Sequence, residues 1–122
     1  MITLYGIPNC DSVKKAIVWL KQHDLPYQFH NYKTEGITKP KLREWCKHWG
    51  WEKVLNRKGT TWKALSAEQQ AAINTEKTAI QFLIENTSAI RRPVLEYGNL
   101  MFLGFDEDNY QELLSPQKAD PL

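Results

Sequence analysis

Residues 2–32, "ITLYGIPNCDSVKKAIVWLKQHDLPYQFHNY", decide the fold class of this 122-residue chain. The β-prone run at residues 2–5 is stopped by Gly6 and Pro8, which predicts a first strand followed by a loop. That loop ends at Cys10, immediately before a run of helical character. The sequence therefore places a cysteine at the junction between a strand loop and a helix.

Beyond Cys10, apolar residues recur with the period of a helix that packs on one face. They are Val13, Ala16, Ile17 and Leu20. This pattern predicts a helix from Asp11 to about His23. Residues 27–32 then alternate aromatic and polar side chains, which predicts a half-buried second strand. A strand, a helix and a strand with this spacing predict a right-handed parallel unit.

From Gly36 to Ile90 the chain is helical in character and rich in tryptophan. Thr38 and Pro40 predict a helix start, and Gly50 predicts its end. The apolar stripe of this helix comprises Leu42, Trp45, Cys46 and Trp49. The basic stretch that follows, residues 55–65, "LNRKGTTWKAL", is predicted to be irregular. Residues 66–69 have the form of a capping box, which predicts a helix start. A further helix should end near Asn86.

The last part of the chain predicts a β-hairpin and a helix. Residues 93–97 and 100–103 are β-prone and are separated by Gly98 and Asn99, which is a hairpin signal. Asp106 is placed to cap a final helix that carries Tyr110, Leu113 and Leu114.

These elements predict an α/β, thioredoxin-like fold with a mixed four-stranded sheet and an inserted helical subdomain. The chain is interpreted as a single thioredoxin-like domain, since 122 residues suffice for one core. We divide it into a βαβ half at residues 1–35, a helical insertion at 36–90, a hairpin with a terminal helix at 91–114, and a frayed tail at 115–122.

Composition excludes several function classes. Sixteen Lys and Arg residues against 14 Asp and Glu give a net charge of +2, which is too small to drive nucleic-acid or membrane binding. No apolar run approaches the ~20 residues that span a bilayer, so we expect a soluble, cytoplasmic protein. The three histidines show no ligand spacing, so no metal site is expected.

Cys10 is the predicted nucleophile. A cysteine at a helix N-terminus meets unsatisfied backbone N–H groups and the positive end of the helix dipole, and both favour the thiolate. Lys14 and Lys15 add positive potential, whereas Asp11 opposes it. The structural alternative is a small buried hydrophobe, the commoner role of a lone intracellular cysteine.

The sequence near Cys10 contains no second cysteine that could form a disulfide with it. A dithiol motif would need a cysteine at position 13, which is Val13, and a phosphatase-type loop would need arginine where Ala16 stands. Cys46 lies on the apolar stripe of its helix, so we interpret it as packing rather than as a resolving thiol. Any chemistry at Cys10 is therefore monothiol chemistry.

Arginines in two distant segments are candidate anion ligands. Arg57 lies in the irregular basic segment, and Arg91 and Arg92 precede Pro93 at the start of the third strand. In a thioredoxin-like sheet that strand end lies next to the N-terminus of the first helix. Guanidinium groups form paired, charge-assisted hydrogen bonds with carboxylate, phosphate or arsenate. Taken singly, each of these arginines is also explained as solvated surface charge.

Three motifs in order, "YGIPNCDSVKKA", "LNRKGTTWK" and "IRRPV", resemble the ArsC/Spx-type arsenate reductase family, most closely its YffB-like branch. The resemblance covers about residues 2–114 and implies the same fold with an inserted helical subdomain. It implies that Cys10 is the nucleophile, that Arg57 and Arg92 bind an oxyanion or the carboxylates of a thiol co-substrate, and that the Arg92–Pro93 bond is cis.

The expected function is a glutathione-dependent thiol reductase. The N–H groups of Asp11, Ser12 and Val13 are expected to hold the Cys10 thiolate, Asn9 to orient the loop or to contact the adduct, and glutathione to act as co-substrate without a bound cofactor. Glutaredoxin or another protein is a possible partner, and the chain is expected to be a monomer.

Two alternatives remain open. One is a non-catalytic regulator of the Spx kind that binds a protein partner such as RNA polymerase, with Trp45, Trp49, Trp51 and Trp62 as surface anchors instead of core. The other is arsenate reductase proper. Related arsenate reductases carry a third arginine shortly after the hairpin, and residues 102–105 contain none.

Overall fold

The computed structural model describes residues 1–114. The predicted tail, residues 115–122, lies outside the described residues. The described residues form two compact units. The first unit combines Met1–His30 with residues 92–114, and the second unit comprises Asn31–Arg91.

The first unit is built on a four-stranded sheet. Its strands are β1 (Ile2–Gly6), β2 (Tyr27–Asn31), β3 (Val94–Tyr97) and β4 (Leu100–Leu103), in the order β2-β1-β3-β4. β3 pairs antiparallel with both β1 and β4. The sheet is mixed, so β2 runs parallel to β1. The fold is therefore thioredoxin-like, as predicted, with a helical subdomain inserted in the sequence between β2 and β3.

Helix α1 (Asp11–Gln22) and helix α8 (Glu107–Leu113) complete the first unit. Their apolar residues and those of the strands form one buried core, because each element has one apolar face. Its buried members are Ile2, Leu4, Val13, Ala16, Trp19, Leu20, Leu95, Phe102, Tyr110 and Leu114. The predicted hairpin and the Asp106 cap are both confirmed, and the Asp106 side chain accepts a hydrogen bond from the Asn109 N–H at 3.2 Å.

The second unit consists of helices. They are α2 (Tyr32–Glu35), α3 (Lys39–Trp49), α4 (Trp51–Val54), α5 (Thr60–Lys63), α6 (Ala67–Ala72) and α7 (Glu76–Glu85), followed by a 3₁₀ turn at Thr87–Ala89. The predicted start of α3 at Thr38, its end at Gly50 and the capping box at Ser66 are confirmed. A second capping box, formed by Thr75 and Thr78, was not predicted.

β1 ends one residue later and β3 begins one residue later than predicted, and the structure also differs at the end of β2 and in the basic stretch. β2 stops one residue earlier, at Asn31, because its side chain accepts a hydrogen bond from the Lys33 N–H and starts α2. Helical structure thus begins at Tyr32 instead of Gly36. The basic stretch at residues 55–65 is not irregular throughout, since Thr60–Lys63 forms a helical turn.

One of the four tryptophans of the second unit lies in its interior. Trp45 is fully buried and its ring lies 6.4 Å from that of Tyr32, edge to face. Trp49, Trp51 and Trp62 are half-buried. The core interpretation is thus confirmed for Trp45. Within residues 1–114, no helix is both long and apolar enough to cross a membrane.

Candidate active site

Cys10 is the backbone N-cap of α1. Its dihedral angles, φ −147° and ψ 125°, are extended, and its carbonyl accepts the first helical hydrogen bond from the Lys14 N–H at 2.9 Å. Within residues 1–114 the Cys10 side chain makes no capping hydrogen bond. The residue is half-buried against the first core. The sulfur therefore lies at the helix start without serving as a cap.

The first turn of α1 supplies backbone donors beside this sulfur. Because Cys10 is the N-cap, the N–H groups of Asp11, Ser12 and Val13 precede the first intrahelical hydrogen bond. Together with the helix dipole they favour an anion at this end of the helix. The exposed carboxylate of Asp11 acts in the opposite sense. Asn9 is exposed in the preceding loop.

Gly6 brings the Arg92 strand end against the first turn of α1. A Cβ atom at Gly6 would lie 2.7 Å from a methyl group of Val13 and 3.8 Å from Cβ of Arg92. Val13 is completely buried, so it has little room to move away. This close approach requires glycine, and it places the backbone of Arg92 beside the turn that Cys10 caps.

The Arg92–Pro93 peptide bond is cis, as the family resemblance implies. Pro93 is buried, and its carbonyl accepts a hydrogen bond from the Gly104 N–H at 2.7 Å. Arg92 is half-buried, and its Nε atom is shielded from solvent. Neighbouring Arg91 is exposed and belongs to the second unit.

Arg57 also belongs to the second unit. It is exposed in the loop between α4 and α5, with its guanidinium carbon 5.3 Å from the ring centroid of Trp51. The loop is held at both ends. The Asn56 N–H donates to the Ala89 carbonyl at 2.8 Å, and the Thr61 and Ser88 hydroxyls are 2.7 Å apart.

Cys46 is a structural thiol. It is 3% exposed in the middle of α3. The pKa of this thiol is raised from the usual 9.0 to about 11. The larger cause is burial, and the smaller is the nearby Glu76 carboxylate. The prediction that Cys46 packs in a core is confirmed.

The first unit thus contains Gly6, the predicted structural residue Pro93 and six of the seven predicted catalytic or anion-binding residues, namely Asn9, Cys10, Asp11, Ser12, Val13 and Arg92, whereas Arg57 belongs to the second unit. Sequence reasoning treated Gly6 only as a strand stop, because the residue that it faces is separated from it in sequence. Among the described residues, no three His, Cys, Asp or Glu side chains are grouped so as to hold a metal ion.

Comparisons with known proteins agree with this architecture. A solved YFFB protein has 45% sequence identity and a TM-score of 0.87, and the match covers 92% of this chain and 97% of that one. An arsenate reductase (ArsC) related protein from Brucella melitensis has 37% identity and a TM-score of 0.73, with 92% of each chain covered.

A third relative is the global transcriptional regulator Spx of Streptococcus mutans. It is 28% identical over 116 residues, which cover 93% of this chain and 83% of the regulator. The sequence model of the ArsC family matches residues 5–113. Since that match spans both the Cys10 loop and the Arg92 strand end, the chain belongs to the ArsC family.

Proposed function

We propose that this chain is a glutathione-dependent thiol reductase whose nucleophile is Cys10. The observation that carries the proposal is the position of Cys10, which caps α1 through its backbone while its side chain makes no capping hydrogen bond among the described residues. Backbone donors and the dipole at this end of α1 favour a bound anion, and a thiolate is the species that attacks a disulfide.

The reaction is thiol–disulfide exchange in two steps. The Cys10 thiolate attacks the glutathionyl sulfur of a mixed disulfide, so a bond from Cys10 to glutathione forms and the substrate leaves as a thiolate, which takes a proton from water. A glutathione thiolate then attacks that glutathionyl sulfur and releases glutathione disulfide. Cys10 returns as thiolate, one glutathione is consumed, and the substrate sulfur is reduced.

Arg92 is proposed to bind the carboxylates of glutathione. The close approach at Gly6 supports this role, because Cβ of Arg92 lies by the first turn of α1. The N–H groups of Asp11, Ser12 and Val13 hold the thiolate, and Asn9 contacts the adduct. Arg57 is proposed as a second anion ligand, and this role is supported by the family resemblance. We expect alanine at Arg92 or Arg57 to weaken glutathione binding by about 1–3 kcal/mol.

Family membership supports the reductase class, since one solved relative is an arsenate reductase (ArsC) related protein. No cofactor is required by the proposed steps, because glutathione supplies both the resolving thiol and the electrons. A glutathione-dependent enzyme works where that thiol is abundant, so we propose that the protein is cytoplasmic. The proposed steps use one Cys10 per reaction, and we propose that the chain acts as a monomer.

Turnover of a small glutathione mixed disulfide tests the proposal. The wild-type chain should release glutathione disulfide, Cys10→Ser should release none above background, and Cys46→Ser should retain activity. Cys46 is the matched control because it is the other thiol of the chain. Full activity in Cys10→Ser would contradict the proposal.

A regulator of the Spx kind is the second candidate, favoured by the Streptococcus mutans relative that matches 93% of this chain. Such a protein would bind a partner such as RNA polymerase and would need no turnover at Cys10. The absence of turnover together with stable capture of the polymerase would favour this candidate. Arsenate reduction with glutathione and glutaredoxin is tested in the same assay by replacing the disulfide with arsenate.

A further inference from the structure

A groove of about 530 Å³ runs along α1 in the first unit. One wall comes from α1, and the other comes from Phe105 and Glu107 at the start of α8. Its apolar surface is formed by Val18, Trp19 and Phe105. Val18 exposes 52% of its surface in the middle of a helix. Trp19 is buried, so the accessible apolar part of the groove comes mainly from Val18 and Phe105.

The groove continues the helix row that starts at Cys10. Lys14, Val18 and Gln22 all line it, and they follow Cys10 at intervals of four residues. Each step of four residues turns about 40° around the helix axis, so Lys14 lies on nearly the same side as Cys10, and Val18 lies about 80° from it. With a rise of about 1.5 Å per residue, Lys14 lies about 6 Å and Val18 about 12 Å from Cys10 along the helix axis.

The charges of the groove are complementary to an acidic group close to the nucleophile. Lys14 and Lys15 line the end nearest Cys10, and Glu107 is the acidic residue among its described lining residues. Glutathione has carboxylates for the lysines but no large side chain for the apolar part. The apolar part therefore fits another ligand, and an extended polypeptide offers both kinds of group.

We propose that this groove docks the polypeptide that flanks the oxidised cysteine of a protein substrate. An extended chain advances about 3.3 Å per residue. The distances along α1 therefore place an acidic residue about two positions, and a large apolar side chain about four positions, from the substrate cysteine. This inference rests on the proposed function, because it assumes that Cys10 attacks the substrate.

The test compares two substrates. One is the glutathione mixed disulfide of Leu-Ala-Glu-Ala-Cys-Ala-Glu-Ala-Leu, whose symmetry makes it independent of binding direction. The other is the glutathione mixed disulfide of 2-mercaptoethanol. Val18→Asp should lower the ratio of the two kcat/KM values, peptide over small disulfide, by about tenfold. Leu113→Asp is the matched control, because Leu113 is another exposed apolar helix residue of this unit and does not line the groove.

A charge exchange gives a second readout. Lys14→Glu should lower the ratio for the glutamate peptide, and a peptide with lysines in place of the glutamates should restore it. Circular dichroism and urea unfolding verify that each variant is folded. An unchanged ratio in Val18→Asp would overturn the docking inference while leaving the reductase intact. Failure of the wild-type chain to turn over either substrate would overturn the proposed function instead.

Discussion

The two units each hold one cysteine, and the two thiols differ in almost every physical respect. Cys10 stands at the N-terminus of α1, half-buried, with three backbone donors in the following turn. Cys46 stands in the middle of α3, where the backbone donors are already used by the helix, and it is 3% exposed. The same side chain is thus placed for chemistry in one unit and for packing in the other.

The reactivity of a cysteine therefore depends on where along a helix its thiol stands. An end of a helix offers unsatisfied dipoles to an anion, whereas its middle offers only side-chain neighbours. For Cys46 those neighbours are apolar or acidic, so its neutral form is favoured. Three experiments test this contrast, and a fourth tests a side-chain contact in the second unit.

Alkylation should show the largest difference. With a pKa of about 11, about one in a thousand Cys46 thiols is ionised at pH 8, and burial hinders the reagent further. We expect iodoacetamide to modify Cys46 at least about a hundredfold more slowly than Cys10, measured by mass spectrometry of the two peptides. In urea the rates should converge, and equal rates in the native protein would contradict the contrast.

Alkaline pH should destabilise the fold through Cys46. The folded state holds this proton more tightly than the unfolded state, whose thiol titrates near 9.0. The contribution to stability is therefore full below pH 9 and is lost as pH rises to about 11, by about 2–3 kcal/mol at most.

Urea unfolding at pH 8 and pH 11 measures this loss. Cys46→Ala should lose less free energy of unfolding between the two pH values than the wild-type chain. Burial also raises the pKa of Tyr110, but that residue is common to both proteins and its effect cancels in the difference. Equal losses in the two proteins would contradict the assignment to Cys46.

Gly6→Ala should disturb Cys10 and leave Cys46 unaffected. The new methyl group would lie 2.7 Å from Val13, which is fully buried, so we expect a loss of about 1–3 kcal/mol in the free energy of unfolding. Val13→Ala also destabilises the core, but the double variant should lose less than the sum of the two single losses, because it removes the clashing methyl. The alkylation rate of Cys10 should change and that of Cys46 should not. Additive losses in the double variant would refute the clash.

Arg57→Ala should have the smallest effect on stability. The contact of its guanidinium with the Trp51 ring is exposed, so its loss should cost about 0.5–1 kcal/mol. A double-mutant cycle with Trp51→Leu, followed by urea unfolding, isolates the pair. A coupling free energy of zero would show that the ring does not hold this arginine.

Local signals predicted most of the fold. The apolar stripe of α1, the Thr38 cap and the Gly98 turn each depend on neighbours in sequence. The cap and the turn were predicted correctly, and so was the stripe except that Trp19 is buried and Ile17 only half-buried. The helical turns at Tyr32–Glu35 and Thr60–Lys63 were missed. A single turn has little intrinsic stability, so packing decides whether it forms, and packing is not written in local sequence.

The site was predictable only in part. Cys10 could be placed at a helix start from its loop and the stripe that follows, and the strand order implied that Arg92 lies nearby. The groove beside α1 could not be predicted, because Phe105 reaches it from a segment far along the chain. Whether an apolar residue such as Val18 faces solvent is settled by which elements pack on its helix.

The loop that carries Arg57 is fastened to the 3₁₀ turn at Thr87–Ala89 by one hydrogen bond before Arg57 and one after it. A short segment secured at both ends to the same support has few conformations left to lose when a ligand arrives. The backbone entropy of this loop is thus lost during folding, so an anion that binds Arg57 has only the rotamers of one side chain left to order.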